Sequence, residues 1–541
     1  MSTLFTIAIL SLHVATASVL PHQRNTTPPT ALLPNFLVIL ADDLGWYDTS
    51  LTNANAPTPS IKRLSEQGIV LSHHYVFRYC SPTRRSLLSG RFPNHLTTVQ
   101  PDGKNLCSDV LPLNISILSE KLSTKYDSYF IGKGHLGYQT EDHLPINRQF
   151  KQHVGFLAGS ESYKYGGGAS NATLGAHDLW HNHRPAYDIV PTLTYATNYY
   201  TSQAIAILHR HSKLNTPFFM YFAIQNVHSP YQLPPLYEQH EYPLMWNRTY
   251  ANMLHILDAS THNLTNALVD TGLWNQTLIL WTSDNGGIGL GNNYPLRGHK
   301  HDPYEGGTRA IAFLSGGFLP THVRGTTTNV LIHVSDWYPT FCHLAKMGDC
   351  TDPAYFVKDD AIHDIDGVNV WPMLTGENMT QPRALTPTSE VGIIDVSNPQ
   401  KWWKLITLAG QSVYYEKNQT THNGTNICLD RRQPDPPQPG RTDALVSGCP
   451  VCNATQPCLF DILNDPNEEI NQAEAFPHVV SVLQQSVLRF QQSYVTGRLT
   501  KYELETYYNK IDNVDAHWEG YLGPCYLSKE RQNTITEQSE S

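Results

Sequence analysis

The segment Asn35-Phe-Leu-Val-Ile-Leu-Ala41, followed at once by Asp42 and Asp43, decides the fold. Its unbroken apolar run is typical of a strand buried on both faces of a largely parallel sheet between helix layers. Three more segments change from apolar to polar in this way: 129–131 before Gly132-Lys133-Gly134-His135, 218–224 before Gln225-Asn226-Val227-His228, and 277–282 before Ser283-Asp284-Asn285-Gly286-Gly287. Ligands bind beyond the carboxyl ends of the strands in such sheets, so the polar residues are candidates for a site.

The segments between these strands have the patterns of helices. Thr58-Pro59-Ser60 is a typical helix start, and Gly68 is a typical exit. Two further helices are predicted over about 194–210 and 248–272. We therefore predict an α/β fold, in which helices sandwich a large, mostly parallel mixed sheet.

The character of the chain changes past about residue 390. Residues 402–408 and 412–415 predict antiparallel strands, and 477–494 predicts a helix packed on them through Val479, Leu483, Val487, Phe490 and Tyr494. A chain of 541 residues is also longer than one core usually serves. The predicted organisation is a signal peptide over 1–17, a catalytic domain over 18–390, a small α+β domain over 391–526 and a polar tail over 527–541.

Several features favour a secreted glycoprotein. Residues 3–12 form a short apolar core, and Ala15-Thr16-Ala17 suits cleavage by signal peptidase. No later segment reaches the ~20 apolar residues that span a bilayer. A net charge of −10 without long basic runs argues against nucleic acid as a partner. Ten sequons agree with secretion: Asn25, Asn114, Asn171, Asn247, Asn263, Asn275, Asn378, Asn418, Asn423 and Asn453.

The chain has nine cysteines, which leaves one over if the others pair. Eight of them are compatible with four disulfides: Cys107, Cys342, Cys350, Cys428, Cys449, Cys452, Cys458 and Cys525. Close spacing favours a Cys342–Cys350 loop and a braced cluster over 428–458. The ninth, Cys80, is then either a buried structural thiol or a reactive or chemically altered group.

Two pairs of oxygen ligands lie at predicted strand ends. Asp42-Asp43 and Asp284-Asn285 offer carboxylate and amide oxygens, which suit Ca²⁺ or Mg²⁺ better than zinc. Each pair alone could simply cap a turn. Their shared position at strand ends favours a metal site.

Cationic and imidazole side chains accompany these oxygens. They are Arg84, Lys133, His135, His228 and Lys300. Lys133 and His135, two residues apart, can point to one side of an extended segment. Such a set can hold an anionic group and move protons, although each Lys alone is typical of a solvated surface.

Five ordered blocks carry a resemblance to the sulfatase family. They are Ala41–Trp46, Cys80-Ser81-Pro82-Thr83-Arg84 running on to Leu87-Leu88-Ser89-Gly90-Arg91, Gly132–Gly137, Ser283–Gly287 and Leu296–Lys300. Residues 459–469 are similar to the family's carboxyl-terminal block. The stretches 291–298, 304–307 and 520–524 most resemble the arylsulfatase B branch, which hydrolyses N-acetylgalactosamine 4-sulfate.

The resemblance implies a mechanism and its partners. A formylglycine-generating enzyme would convert Cys80 to formylglycine, and Asp42, Asp43, Asp284, Asn285 and the residue at 80 would hold one Ca²⁺. Arg84 would steady the modified residue, and Lys133 and Lys300 would bind sulfate. His228, perhaps with Lys300, would protonate the departing alcohol, and His135 would take the proton that releases sulfate. The expected substrate is a sulfated carbohydrate or aryl sulfate, in a lysosomal or extracellular setting.

Three residues depart from the family's pattern. Thr83 stands where Ser or Ala is common, Gly134 replaces the usual Trp, and His299 replaces an Arg of the most similar branch. The last two bear on substrate identity more than on chemistry. Two alternatives remain: a phosphoesterase on the same scaffold, which typically uses Ser or Thr and often two metals, and a catalytically silent protein that binds sulfated glycans.

Overall fold

The structure is a computed structural model of the chain. The described residues are 33–96, 110–163, 177–186, 195–233, 247–348, 350–352, 356–357, 360–361, 364–378, 380–409, 452–493 and 523–524. The predicted signal peptide, the segment 412–415 and the polar tail lie outside them. The predicted division of the chain at residue 390 stays a prediction.

Among the described residues, the main sheet has ten strands. Their bounds are β1 Asn35–Ala41, β2 Ile69–Tyr75, β3 Asp127–Lys133, β4 Gln152–Phe156, β5 Trp180–His181, β6 Arg184–Pro185, β7 Phe218–Ala223, β8 Thr277–Ser283, β9 Ala312–Ser315 and β10 Thr326–His333. Across the sheet they lie in the order β10-β2-β9-β8-β1-β7-β3-β4-β5-β6. Strand β9 is antiparallel to both of its neighbours, as is β5, and the other pairs are parallel. The predicted α/β class with a mostly parallel mixed sheet is confirmed.

Helices cover both faces of this sheet. The α-helices of the whole described part, including α9 on the smaller sheet, are α1 Pro59–Glu66, α2 Cys80–Ser89, α3 Leu118–Leu122, α4 Ala196–His211, α5 Arg248–Asp270, α6 Glu305–Thr308, α7 Trp337–Leu344, α8 Trp371–Leu374 and α9 Pro477–Gln492. Alternate residues of β1 enter two cores: Phe36, Val38 and Leu40 pack with α2, α3 and α7, whereas Leu37 and Ile39 pack with α1, α4 and α5. Burial on both faces is why this strand is apolar without a break.

The four strands that the sequence singled out are neighbours. They form the contiguous block β8-β1-β7-β3 at the middle of the sheet, and all run in the same direction. Their carboxyl ends therefore meet at one edge. That edge receives the polar residues that follow each strand.

A second, antiparallel sheet lies in the carboxyl-terminal part. It contains β13 Leu385–Ser389, β14 Gly392–Asn398, β15 Lys401–Ile406 and β16 Cys458–Asp461, while β11 Phe356–Val357 and β12 Asp360–Ala361 form a separate hairpin. Helix α9 packs on this sheet, as predicted, and its buried residues are Val480, Leu483 and Val487. Val480 is buried where Val479 was predicted, and Val479 is only partly buried. Tyr494 lies outside the described residues.

Two disulfides brace loops of the described part. Cys342 bonds Cys350, as the spacing predicted, and Cys452 bonds Cys458. Cys80 is the free cysteine among the described residues, and it is buried. The two bonds indicate an oxidising compartment. The other four cysteines lie outside the described residues. No helix in the described part is long and apolar enough to cross a bilayer.

Candidate active site

The four oxygen-bearing residues predicted as metal ligands lie together at the ends of β1 and β8. The Asp43 amide donates to Asp284 Oδ1 at 3.3 Å, across 241 residues of chain. Asn285 Nδ2 donates to Asp43 Oδ1 at 2.7 Å. None of the four side chains has more than a few per cent of its surface exposed. They owe this proximity to the parallel pairing of β1 with β8.

Two oxygens of this group fit a hard cation. Asp42 Oδ1 and Asn285 Oδ1 are buried, and neither has a hydrogen-bond partner among the described residues. Cys80, Asp42 and Asp284 each offer one ligand atom, and these atoms lie within 4.8 Å of one another. A buried oxygen without a partner is costly, and a bound cation would offset that cost. The donor set therefore fits the calcium ion that the sulfatase resemblance implies.

Helix α2 delivers Cys80 and Arg84, which are one helical turn apart. Arg84 Nε and Nη2 both donate to Asp284 Oδ2, at 2.9 and 2.7 Å, and the guanidinium is fully buried. The Cys80 Sγ lies 3.2 Å from His135 Nδ1. Burial raises the pKa of the Cys80 thiol, although Lys133 and Lys300 oppose the shift. An unmodified cysteine is therefore a poor nucleophile here.

The two lysines pair with the first two acids. Lys133 Nζ lies 2.5 Å from Asp42 Oδ2, and Lys300 Nζ lies 2.6 Å from Asp43 Oδ1. Burial opposes ionisation of Asp43, but Lys300, His228 and Lys133 outweigh it, so the pKa of Asp43 lies below its usual value. Burial and the charge of Asp284 raise the pKa of Asp42 to about 7, although the charges of Lys133 and Arg84 act to lower it.

Acidic and basic side chains are equal in number at the site. Three carboxylates, of Asp42, Asp43 and Asp284, face three cations, of Lys133, Lys300 and Arg84. A bound divalent cation would leave a surplus of positive charge. Such a surplus suits an anionic substrate in a chain whose net charge is −10.

Both predicted histidines reach the site. His228 Nε2 lies 3.5 Å from Asp43 Oδ2, and its Nδ1 lies 2.5 Å from the Ser229 carbonyl oxygen. Burial, with Lys300 and Lys133, lowers the pKa of His228 to about 3, although Asp43 opposes the shift. Burial, Lys133 and Arg84 hold the pKa of His135 well below its usual value. Both imidazoles are therefore neutral near pH 7.

The backbone at His135 differs from the extended segment that was expected. Lys133 is the last residue of β3, and His135 has φ of 54°, in the left-handed region. The chain therefore turns between them. The turn brings the His135 ring to Cys80, while Lys133 reaches Asp42.

Sequence reasoning missed the role of Asn293. Its Oδ1 accepts hydrogen bonds from the amides of Gly287 at 2.9 Å and Trp46 at 3.3 Å, and its Nδ2 donates to the carbonyls of Gly287 and Gly298. It thereby ties the exits of β1 and β8 to the loop that carries Lys300. The signal was present, because Asn293 lies in the stretch 291–298 that resembles the arylsulfatase B branch.

A family model described as Sulfatase matches residues 34–347, more than half of the chain. The chain belongs to the sulfatase family. It is an enzyme, a hydrolase that acts on sulfate esters. The buried group of acids and Cys80 is consistent with the calcium ion and formylglycine that sulfatases typically use.

Individual relatives agree with this family. Arylsulfatase J of Mus musculus is 30% identical over 495 residues, which cover 86% of this sulfatase and 77% of the relative. N-acetylgalactosamine-6-sulfatase of Mus musculus is 26% identical over 375 residues, with 64% and 68% covered. The solved structure of Ps i-CgsB in complex with k-i-k-neocarrahexaose shares the fold, with a TM-score of 0.64, 23% identity, and 89% and 98% of the two chains covered. These relatives show the family rather than one branch, so the likeness to arylsulfatase B stays a prediction.

Proposed function

We propose that this sulfatase removes sulfate from a sugar or aryl sulfate ester by means of formylglycine at position 80 and one calcium ion. The observation that carries the proposal is the cluster of Cys80, Asp42 and Asp284, whose ligand atoms lie within 4.8 Å of one another. Buried oxygens of Asp42 and Asn285 without partners among the described residues support it.

Asp42, Asp43, Asp284 and Asn285, with the residue at 80, would hold the calcium ion. When bound, the ion supplies positive charge that favours ionisation of a nearby hydroxyl. Arg84 keeps Asp284 in place through two hydrogen bonds. Because Arg84 is four residues after Cys80 on α2, it also fixes the helix turn that presents position 80.

The formylglycine would supply a hydrated aldehyde, one hydroxyl of which would attack sulfur while the bond between sulfur and the alcohol oxygen breaks. Lys133 and Lys300 would bind the sulfate oxygens. Each ammonium has three donors, so each can keep its carboxylate partner and still donate to the substrate. Positive charge held in a buried site stabilises the charge that develops on the transferring group.

The two histidines would carry the protons. His228 would protonate the departing alcohol from Nε2. Lys300, which lies beside the same Asp43 carboxylate as His228, would assist it. A negatively charged ester raises the pKa of a nearby imidazole, which opposes the lowering by burial. His135, whose Nδ1 lies 3.2 Å from the Cys80 Sγ, would take a proton from the second hydroxyl at position 80, so that sulfate leaves and the aldehyde returns.

A sulfated carbohydrate is the proposed substrate class. Support comes from a relative named for N-acetylgalactosamine 6-sulfate and from the oligosaccharide in the complex of Ps i-CgsB. N-acetylgalactosamine 4-sulfate is the specific candidate, from the resemblance of residues 291–298. We place the enzyme in the secretory pathway, lysosomal or extracellular, where a formylglycine-generating enzyme would modify Cys80 during maturation.

The proposal is tested by making the protein with and without a formylglycine-generating enzyme. Peptide mass spectrometry across Cys80 should detect the aldehyde only in the first preparation. That preparation alone should hydrolyse an aryl sulfate with Ca²⁺ present, and an aryl phosphate should be turned over far more slowly. Cys80→Ala should remain folded and inactive. An unmodified thiol in an active enzyme, or faster turnover of the phosphate, would refute the proposal.

A further inference from the structure

The loop of residues 157–163 follows β4 and contacts the first of the two histidines. The His135 amide donates to the Leu157 carbonyl at 3.0 Å, and the Gly134 amide donates to the Phe156 carbonyl at 2.8 Å. At Gly159 the loop passes the imidazole so closely that an added Cβ would lie 2.8 Å from His135 Cε1. The loop therefore limits where the His135 ring can lie.

A buried acid fixes the start of this loop. Asp178 accepts hydrogen bonds from the amides of Leu157 and Ala158, at 3.0 and 2.8 Å, with one carboxylate oxygen for each. Its side chain is fully buried. Bonds from two backbone donors to one carboxylate hold the loop at the point where it meets His135.

The other end of the same loop holds the segment that carries His228. Glu161 and Gln225 bond reciprocally: the Glu161 amide donates to Gln225 Oε1 at 2.7 Å, and Gln225 Nε2 donates to the Glu161 carbonyl at 2.8 Å. The Tyr163 hydroxyl lies 2.8 Å from the Gln225 carbonyl oxygen and 2.9 Å from that of His228.

We propose that the 157–163 loop is a positioning element that sets both imidazoles, His135 through Gly159 and His228 through the hydroxyl of Tyr163. The inference rests on the proposed roles of the two histidines in proton transfer. The seven residues of this loop thus contact both the segment that follows β3 and the segment that follows β7. A small displacement at either end moves a proton-transfer group away from the reacting atoms.

Tyr163→Phe tests the His228 end of the loop. The variant keeps the ring stacked on Tyr195, at 4.9 Å between centroids, and removes only the hydroxyl. Because a misplacement of ~1 Å can cost up to ~100-fold in rate, we expect kcat to fall about tenfold while KM stays near wild type. The melting temperature should fall no further than in a matched control. The matched control is Tyr129→Phe, which also removes a buried hydroxyl; this hydroxyl lies 3.1 Å from His211 Nδ1, and Tyr129 is four residues before Lys133 on β3. It should leave kcat unchanged.

Gly159→Ala tests the His135 end. The backbone at Gly159 is outside the left-handed region, so alanine is tolerated by the chain itself. The added methyl should displace the His135 ring from its contact with position 80 and lower kcat without raising KM. Crystal structures of the wild type and this variant report the ring position directly, whether or not the preparation is active.

The outcomes separate this inference from the proposed function. An inactive wild type would refute the proposed function, and the ring position in Gly159→Ala would still decide the His135 end. A ring that does not move, or a Tyr163→Phe enzyme with wild-type kcat, overturns the positioning role. Equal losses of kcat in Tyr163→Phe and Tyr129→Phe also overturn it, because they indicate a general packing effect. If Tyr163→Phe does not fold, Gly159→Ala decides.

Discussion

Two residues that depart from the family's pattern have local explanations. Thr83 Oγ1 accepts a hydrogen bond from the Phe77 amide at 2.9 Å, which holds the turn before α2. A serine could make this bond and an alanine could not. At Gly134, an added Cβ would lie 3.0 Å from the Phe156 carbonyl oxygen, so any larger residue requires the neighbouring backbone to shift. The absence of a larger residue at this position therefore reflects the path of the chain after β4.

Asn285 offers a direct test of the proposed calcium site. Its Oδ1 is buried without a partner among the described residues, so Asn285→Ala removes an oxygen that only a ligand would use. We expect the variant to bind Ca²⁺ about tenfold more weakly or worse, as changes around metal sites commonly cost ~10–100-fold. The measurement is the rise in melting temperature on titration with Ca²⁺ after treatment with a chelator.

Asn252→Ala is the control for this experiment. Asn252 is equally buried, on α5, and donates to the Arg248 carbonyl. Its loss should lower the starting melting temperature but leave the Ca²⁺-induced rise intact. A full Ca²⁺ response in Asn285→Ala would exclude Asn285 as a ligand.

At the scale of elements, the small sheet anchors the loop that carries Lys300. Lys404 on β15 lies 2.9 Å from Glu305 Oε1 and 3.0 Å from Glu468 Oε1, and all three side chains are buried. The Glu305 amide donates to Glu468 Oε2 at 2.7 Å. Arg297, three residues before Lys300, donates to the Glu468 carbonyl. The small sheet thus supports the site through buried charges.

Lys404→Met should destabilise the protein strongly. It leaves Glu305 and Glu468 without their shared cation, and breaking a buried ion pair costs about 3–5 kcal/mol. Urea unfolding measures the change. Lys62→Met is the comparison, because Lys62 is about half exposed in a surface pair with Glu66, and such changes stay within ~0.5 kcal/mol. Similar free energies for the two variants would show that the buried network contributes nothing to stability.

Across the whole molecule, buried ionisable groups act on stability in opposite directions. Burial lowers the pKa of His73, His74 and His153 to about 3. The free energy of unfolding that these neutral imidazoles contribute is therefore lost as the pH falls below the usual histidine pKa of about 6.5. Burial, with Glu305, raises the pKa of Glu468 to about 7, although Lys404 opposes it. The stability that Glu468 contributes is complete below the usual glutamate pKa near 4.5 and is lost as the pH rises through 7.

Glu468→Gln isolates one of these effects. The variant cannot titrate at this position, so it lacks the stabilisation that the wild type gains on acidification. The melting temperature of the variant minus that of the wild type at the same pH should therefore be lower at pH 5 than at pH 7.5. Glu469→Gln, at the exposed neighbouring position, should follow the wild type at both. Parallel pH profiles for Glu468→Gln and the wild type would contradict the assignment.

Much of the fold could be predicted because it depends on local patterns. The helix expected from Thr58 to Gly68 is Pro59–Glu66, that over 194–210 is Ala196–His211, and that over 248–272 is Arg248–Asp270. The four apolar runs that end in polar residues are β1, β3, β7 and β8. Burial on both faces favours apolar residues along the whole of such a strand, so one segment of sequence is enough to recognise it.

The sequence by itself determined which side chains could hold a cation, bind an anion and move protons, because those capacities belong to residue types and to the end of each strand. Only the tertiary structure decided that β8, β1, β7 and β3 are adjacent, since strand order depends on packing between distant segments. The same holds for the 157–163 loop and for the triad of Lys404, Glu305 and Glu468. Their partners are far apart in the chain, and no local pattern records which of them will meet in the folded protein.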